Sequence, residues 1–456
     1  MKLALIGGGG ARAPEFVRGA LAFAADLDLQ ELWLMDDAPD RLAVMAPLCR
    51  QIVEGAGAPF RLIETSDLDA ALRDAGMIVT TIRVGLEAGR VLDERIALKY
   101  GVLGQETTGA GGFSMALRSI PALVQIAERA EILAPRAWTF NFTNPAGLVA
   151  QALYEGGFRR VIGICDSANT AQHEIAAWAS LPVDAVKTEV FGLNHLSWTR
   201  KALAHGVDLL PQALADDRFI ERTHLRFFGA ALVRRLGMFL NEYLFYYYLR
   251  DEALRRIQDE ELTRGQQIQV MNEALFAQLR ACRPDEAMTV YQAYNERRGA
   301  TYMAYAEADE SRRRERSAEE RHVHTPIQSD VGGYAGVALR AGLALLSDRP
   351  LRVGLNVPNQ GAIHGMQPDD VVEVTCEVDG RGVYPVHVGD VPEDPYLLMR
   401  AVKRYERLAA QAILRRDREL AVEALAAHPL IGSYPLARRL LDDYLHAHQN
   451  YVGQWD

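Results

Sequence analysis

Short apolar runs alternate with segments of helical period through the N-terminal part of the chain. KLALI (residues 2–6) ends in GGGGARAP, and Pro14 then opens a helix-period stretch, PEFVRGALAFAADL. Proline suits a helix's first turn, where its missing N–H would go unpaired anyway. ELWLMDD, RLIETSD, MIVTTIR, WTFNF and RVIGICD follow as strand-like runs, with helical segments between them. Strands that alternate with helices predict a parallel sheet, because a parallel partner is reached only through a crossover. The fold class read from this pattern is α/β, with a doubly wound parallel sheet over residues 1–195. Residues 204–290 read as largely helical, RPLRVGLNV and DVVEVTCEV as strands capping a second domain, and the end from about residue 395 as amphipathic helix. A mixed α+β domain over residues 196–456 is the expectation, and a chain of 456 residues exceeds one ordinary core.

Composition narrows the partners. A net charge of −10 argues against nucleic acid or an anionic membrane surface, so an anionic ligand needs locally placed arginine or lysine. No run reaches the ~20 apolar residues of a spanning helix, and glycines follow MKLALI where a signal cleavage site should be. Cys49, Cys165, Cys282 and Cys376 are far apart, with no CxxC, which speaks against a zinc knuckle or a disulfide framework. Cytoplasm is the expected compartment. The run EADESRRRERSAEERHVHT (307–325), dense in both signs, reads as exposed helix and loop.

The strand–glycine loop–helix order is the context of a dinucleotide fingerprint, in which helix-start amides face the pyrophosphate. Gly7 and Gly9 supply its first two glycines, Gly10 follows, and Arg12 stands where the third should be. Asp36 or Asp37 ends the second strand at the distance expected of a ribose ligand, which favours NAD over NADP. TNPAG and GICDSAN follow apolar strands, placing Asn144, Cys165 and Asp166 at the sheet edge where open α/β folds bind ligands. GQETTGAGG is long and glycine-rich, as functional loops are. Taken alone, Cys165 is more often a packed strand-end thiol than a ligand, and His195 more often a structural histidine. Arg83, Arg90, Arg95 and Lys99 fit a solvated helix face as well as an anion site.

Together, IGGGG, TIRVG, LDERIALKYGVLGQETTG, NFTNPAG, GICD, FGLNHLSW, NEYLFYYY, RRGATYM and LNVPNQGAI resemble glycoside hydrolase family 4, the NAD- and metal-dependent glycosidases, nearly end to end. The match is closest to its 6-phospho-β-glucosidases. The resemblance implies a Rossmann-like first domain and chemistry outside the usual two-carboxylate hydrolysis. NAD+ oxidises the sugar's 3-hydroxyl, a base removes the acidified hydrogen on carbon 2, the aglycone leaves by elimination, water adds, and NADH reduces the ketone. A divalent cation, Mn2+ in most of the family, polarises the 2- and 3-oxygens. The implied metal ligands are Cys165 and His195, and the implied base is Tyr302, its phenolate stabilised by neighbouring Arg297 or Arg298. Asp166 reads as the general acid or as a partner orienting a ligand. Gly7, Gly9, Gly10, Arg12, Asp36, Thr81 and Glu106 are the expected cofactor contacts. Asn144 and Asn194 are the expected sugar contacts, with Arg90, Arg95 and Arg298 for an anionic group. A homodimer or homotetramer is the expected assembly.

Departures from the family pattern bear on the substrate. Proline is missing after Cys-Asp, Leu240 stands before NEY where relatives have proline, and SDVGGY (329–334) replaces a glycine-rich stretch. Pro358 and Gln360 stand where bacterial relatives often carry arginines. An α-glycoside, a 6-sulfonate sugar, a uronide, or a sugar dehydrogenase reaction on the same fold therefore stays open beside the 6-phospho-β-glucoside.

Overall fold

The apolar runs form β1 (Lys2–Ile6), β2 (Glu31–Met35), β3 (Arg61–Thr65), β4 (Met77–Thr80), β5 (Trp138–Asn141) and β6 (Val161–Gly163). The computed structural model describes residues 1–307, 333–347 and 349–455. These six strands run parallel in the order β3-β2-β1-β4-β5-β6, and the order reverses between β1 and β4. A crevice opens beyond the carboxyl ends at such a reversal. Register sets Leu3 between Leu32 and Met77, and Leu3, Ala4 and Leu5 are fully buried, so both faces of β1 are covered.

The antiparallel hairpin β7 (Lys187–Leu193) and β8 (Leu196–Ala204) forms a second sheet with β9 (Val207–Asp208) and β10 (Phe239–Leu240). Leu193 pairs with Leu196, so Asn194 and His195 are the two residues of the hairpin turn. Helical segments follow through Ala300. β11 (Leu351–Pro358), β12 (Val371–Asp379) and β13 (Gly382–Pro385) depart from the expected capping of a second domain. They continue the first sheet antiparallel, with Asn356 opposite Gly163 and β11 beside β6. Without them β6 would be a bare edge with unpaired backbone groups.

The stretch GQETTGAGG is also shorter as a loop than its composition suggests. Helix Gly109–Leu133 begins inside it. A Cβ on Gly111 would lie 2.3 Å from the Gln105 carbonyl oxygen, and one on Gly112 2.6 Å from the Thr107 carbonyl carbon. The glycines let residues 105–107 fold back onto the helix start. Residues 308–325 of the charged run lie outside the described residues. Among those described, no helix is long and apolar enough to cross a membrane.

Candidate active site

A cavity of about 1920 Å³ opens beyond the carboxyl ends of β1, β4, β5 and β6. That exceeds the ~300–1,000 Å³ of ordinary small-molecule pockets, leaving room for a nucleotide and a sugar together. Gly7, Gly10, Ala11 and Arg12 line it where the first helix begins. Gly7 has φ +102°, and a Cβ there would lie 2.6 Å from the carbonyl oxygen of Thr81, which also lines the cavity. Only glycine fits that cradle. Gly9 is not among the lining residues, and its N–H donates to Asp36 Oδ2 at 2.8 Å. Asp36 Oδ1 accepts from Ala38 N–H at 3.0 Å, so this carboxylate braces the glycine loop while still lining the cavity beside Asp37. Burial raises its carboxyl despite those two amides.

Cys165 and His195, thirty residues apart in sequence, line the same cavity with Asn144 and Asp166. The strand end of β6 supplies Cys165, and the hairpin turn supplies His195 at φ +62°, left-handed backbone that a non-glycine residue rarely adopts. The imidazole stacks on Tyr243 with centroids 3.8 Å apart and planes 6° apart, and Nδ1 lies 2.8 Å from Thr107 Oγ1. Burial depresses the imidazole to about 4, against opposing pulls from Glu242 and Glu106, so the ring is neutral near pH 7. Burial, then Glu373 and Asp166, push the Cys165 thiol up.

The donor set fits a cation. Asp166, Glu242 and Glu373 all bear electrostatically on Cys165, and Glu242 Oε2 is buried with no hydrogen-bond partner among the described residues. A nearby positive charge would satisfy that oxygen and favour thiolate. Among the described residues no three His, Cys, Asp or Glu side chains gather with metal-holding geometry. Two protein ligands would leave positions open for water or substrate, as catalytic sites do.

Tyr302 lines the cavity, 39% exposed as a residue, and its hydroxyl, with a single proton to donate, lies 3.3 Å from both Glu242 Oε1 and Tyr243 Oη. Burial, Tyr243 and Glu242 push its phenol well above the ordinary value. Of the arginines near it, Arg298 donates to Tyr294 Oη at 2.7 Å, and Arg264 bears electrostatically on Tyr302. Helical spacing explains the Arg298 bond: residues 294 and 298 are one turn apart on helix Ala287–Ala300, whereas Tyr302 lies beyond its end. Asp166 lies at the cavity wall. Burial raises its carboxyl, Arg12 opposing and Glu242 adding to the shift.

Arg83, Arg90, Arg264 and Arg298 also line the cavity. Arg90 bonds Glu94 Oε1 at 2.8 Å and pairs with Glu106, which also pairs with Arg83. Burial alone would raise the Glu106 carboxyl, yet Arg83 and Arg90 hold it well below the carboxylate range. Arg264, at the start of helix Arg264–Ala281, is lowered to about 10 by burial and by repulsion from Arg90 and Arg298. That repulsion marks a place where an anion would be stabilised.

Three expected contacts are not at the cavity. Arg95 is exposed and bonds Gln266, because Arg90, Asp93, Glu94 and Ala97 form the buried stripe of helix Leu86–Lys99 and Arg95 falls on its other face. Asn194 is engaged internally: its Oδ1 accepts from Gly147 N–H at 3.2 Å and its Nδ2 donates to Glu373 Oε1 at 3.2 Å. Gly9 is the third. Pro358 and Gln360 also lie outside the cavity lining, so their departure removes no arginine from it within this chain.

Sequence reasoning missed several residues. Glu242 and Tyr243 sit in NEY, a motif without obvious chemistry of its own. Glu373 is fully buried on β12, accepting from Ser197 Oγ at 2.7 Å and Asn356 Nδ2 at 3.0 Å, and burial pushes it up to about 7. A charge inside the apolar run DVVEVTCEV was the available signal. Arg264 had none, since a capping box at Thr263 and Gln266 sets its place.

The model of the family 4 glycosyl hydrolases matches residues 2–181, and that of their C-terminal domain matches residues 190–431. A Bacillus subtilis protein named a probable 6-phospho-beta-glucosidase is 31% identical, over 100% of this chain and 98% of its own. The 6-phospho-beta glucosidase of Thermotoga maritima, solved with manganese, NAD+ and glucose-6-phosphate, superposes with a TM-score of 0.83 at 26% identity, covering 99% of each chain. A 6-phospho-alpha-glucosidase from gut microorganisms, solved with NAD and glucose-6-phosphate, has a TM-score of 0.82 at 26% identity, covering 100% of this chain and 99% of its own. With both family models matched in order across a cavity that gathers the thiol, imidazole and phenol, the chain belongs to family 4 of the glycosyl hydrolases.

Proposed function

We propose that this chain hydrolyses a 6-phospho-β-glucoside, with NAD and a divalent cation, Mn2+ foremost, as cofactors. The observation that carries the reading is one cavity lined by a glycine-rich strand–helix turn, a thiol–imidazole pair, a phenol and buried arginines. When bound, NAD+ accepts a hydride from carbon 3 of the sugar and later returns it, while the cation acts as a Lewis acid on the neighbouring oxygens.

The chain's own groups supply the rest. Cys165 and His195 hold the cation, and Gly7, Gly10, Arg12, Asp36 and Thr81 line the nucleotide's part of the cavity. Tyr302 passes its hydroxyl proton to Glu242 Oε1, 3.3 Å away, a loss that a bound cation's charge would favour, and as phenolate takes the proton from carbon 2. Asp166, whose raised carboxyl favours the protonated form, gives a proton to the leaving oxygen. Arg90, Arg264 and Arg298 bind the 6-phosphate, for which the guanidinium fork is well shaped. Glu106 holds Arg83 and Arg90 in place through its ion pairs. The reading includes a cytoplasmic homodimer or homotetramer, and all four cysteines are free thiols, as that compartment requires.

Nitrophenyl α- and β-glucosides, each with and without 6-phosphate, test the proposal in the presence of NAD+, Mn2+ and a thiol reductant. Turnover of the phosphorylated β-glucoside alone is expected, with a primary isotope effect from deuterium at carbon 2 and no net NADH. Asp166 also suits an α-glycoside, and selective α-turnover would replace the anomer in this reading. Net NADH accumulation would identify a dehydrogenase instead.

A further inference from the structure

The loop Gln105–Thr107 touches the imidazole that the proposed function assigns to the cation, and its hydrogen bonds have one consistent direction. Thr107 N–H donates to Gln105 Oε1 at 2.6 Å, which identifies that atom as the amide oxygen, since an amide nitrogen could not accept. Thr107 Oγ1 lies 2.9 Å from the same oxygen. A carbonyl oxygen only accepts, so the single hydroxyl proton of Thr107 points to Gln105. Oγ1 then has only lone pairs to offer His195 Nδ1, 2.8 Å away. Nδ1 must carry the ring proton, and in a neutral imidazole Nε2 is left with the lone pair.

Other contacts hold the ring in that relation. Tyr243 stacks flat on it, and the hairpin turn fixes its backbone at φ +62°. The loop itself is pinned, because Gly111 and Gly112 admit the 105 and 107 carbonyls at distances no side chain would allow. Between the two residues, Glu106 points the other way, into Arg83 and Arg90.

We propose that Gln105 and Thr107 are positioning residues that fix His195 as its Nδ1–H tautomer and thereby make Nε2 the ligand atom for the divalent cation. The inference rests on the cation reading above. An outer partner that sets tautomer and ring angle typically carries about 10–100-fold in metal affinity.

Two measurements test it. In metal-free protein labelled with 15N-histidine, His195 assigned by loss of its signals in His195→Gln should show the Nδ1–H tautomer, and an Nε2–H signal overturns the inference. Mn2+ affinity, read from the electron paramagnetic resonance of free Mn2+, should fall about 10–100-fold in Thr107→Val and stay near the unaltered value in Thr107→Ser, which keeps the hydroxyl. Gln105→Leu should also weaken Mn2+ and convert part of the His195 signal to Nε2–H, because the freed hydroxyl can donate to Nδ1. A residue acting only through packing would leave that tautomer signal unmoved. NAD+ binding reports folding of each variant, and should Thr107→Val fail to fold, Gln105→Leu and the unaltered protein's tautomer carry the test. Failure of the unaltered protein to bind Mn2+ refutes the cofactor reading beneath the inference. Mn2+ binding that is indifferent to Thr107→Val and Gln105→Leu refutes the inference alone.

Discussion

Replacing Asp93 by asparagine should destabilise the protein far more than a change of one atom suggests. Asp93 is 1% exposed, and its carboxylate accepts from Arg118 Nη1 at 2.8 Å, Arg118 Nη2 at 2.7 Å, Ser114 Oγ at 2.6 Å and His448 Nε2 at 2.8 Å. The Arg118 side chain is fully buried, so Asp93→Asn strands a guanidinium charge and turns an amide N–H₂ toward donors. Removing one member of a buried ion pair costs about 3–5 kcal/mol. The double variant Asp93→Asn/Arg118→Met removes the stranded charge, so its loss should fall short of the two single losses added, by about 1–3 kcal/mol. Urea unfolding followed by far-ultraviolet circular dichroism measures all three. Burial would raise the Asp93 carboxyl, but hydrogen bonds from Arg118 and His448 outweigh it and hold it below the ordinary range. Its contribution is therefore complete above about pH 4 and lost as pH falls through the folded value. The asparagine variant should show a flatter acid limb. Arg118 Nε also donates to the Val84 carbonyl at 3.1 Å, so the damage reaches the loop that presents Arg83 to Glu106. A loss under about 1 kcal/mol, or strict additivity, would refute the account.

Four further outcomes follow from the site. Tyr302→Phe should retain NAD+ binding yet lower kcat by about 10²–10⁴-fold, with solvent-deuterium exchange at carbon 2 of bound glucose-6-phosphate abolished; persistent exchange removes Tyr302 as the base. Arg264→Met should raise KM for a 6-phosphorylated substrate by about 10–150-fold, the equivalent of a lost charge-assisted hydrogen bond, and an unchanged KM moves the anion site elsewhere. Cys165→Ser should weaken Mn2+ binding at least about tenfold, measured by the same resonance titration, and wild-type affinity would end the thiolate assignment. Gly8→Ala places a Cβ 2.7 Å from Leu34 Cβ and 2.8 Å from its Cα. No side-chain rotation relieves that, so the loop must shift and NAD+ binding should weaken about tenfold or more; an unaltered fluorescence titration would contradict it.

Much of this protein is legible in its sequence because local physics decides it. Apolar runs between helical segments dictate parallel strands, and a glycine at the end of β1 is required wherever a carbonyl such as that of Thr81 approaches within 2.6 Å of a would-be Cβ. Cys165, Asp166 and Asn144 were placed at the cavity by chain topology alone, since they end strands of a doubly wound sheet. The motifs also carried His195 and Tyr302 to the same cavity, across a separation that no local pattern spans.

Other features required the tertiary structure. Arg90 and Arg95 carry the same charge five residues apart, and only the helix's buried face decides that one meets the cavity and the other solvent. Asn194 adjoins His195 in sequence, but Gly147 and Glu373 claim its amide. The strands from Leu351 onward carry no sequence mark of which sheet they join, because an open edge at β6 offers hydrogen bonds to any apolar strand that can reach it. Tyr302 acquires Glu242 and Tyr243 as partners through packing of segments sixty residues apart. The kinds of groups available to the chemistry were written in the sequence. Their protonation, pairing and direction depend on distances between remote segments, which only folding sets.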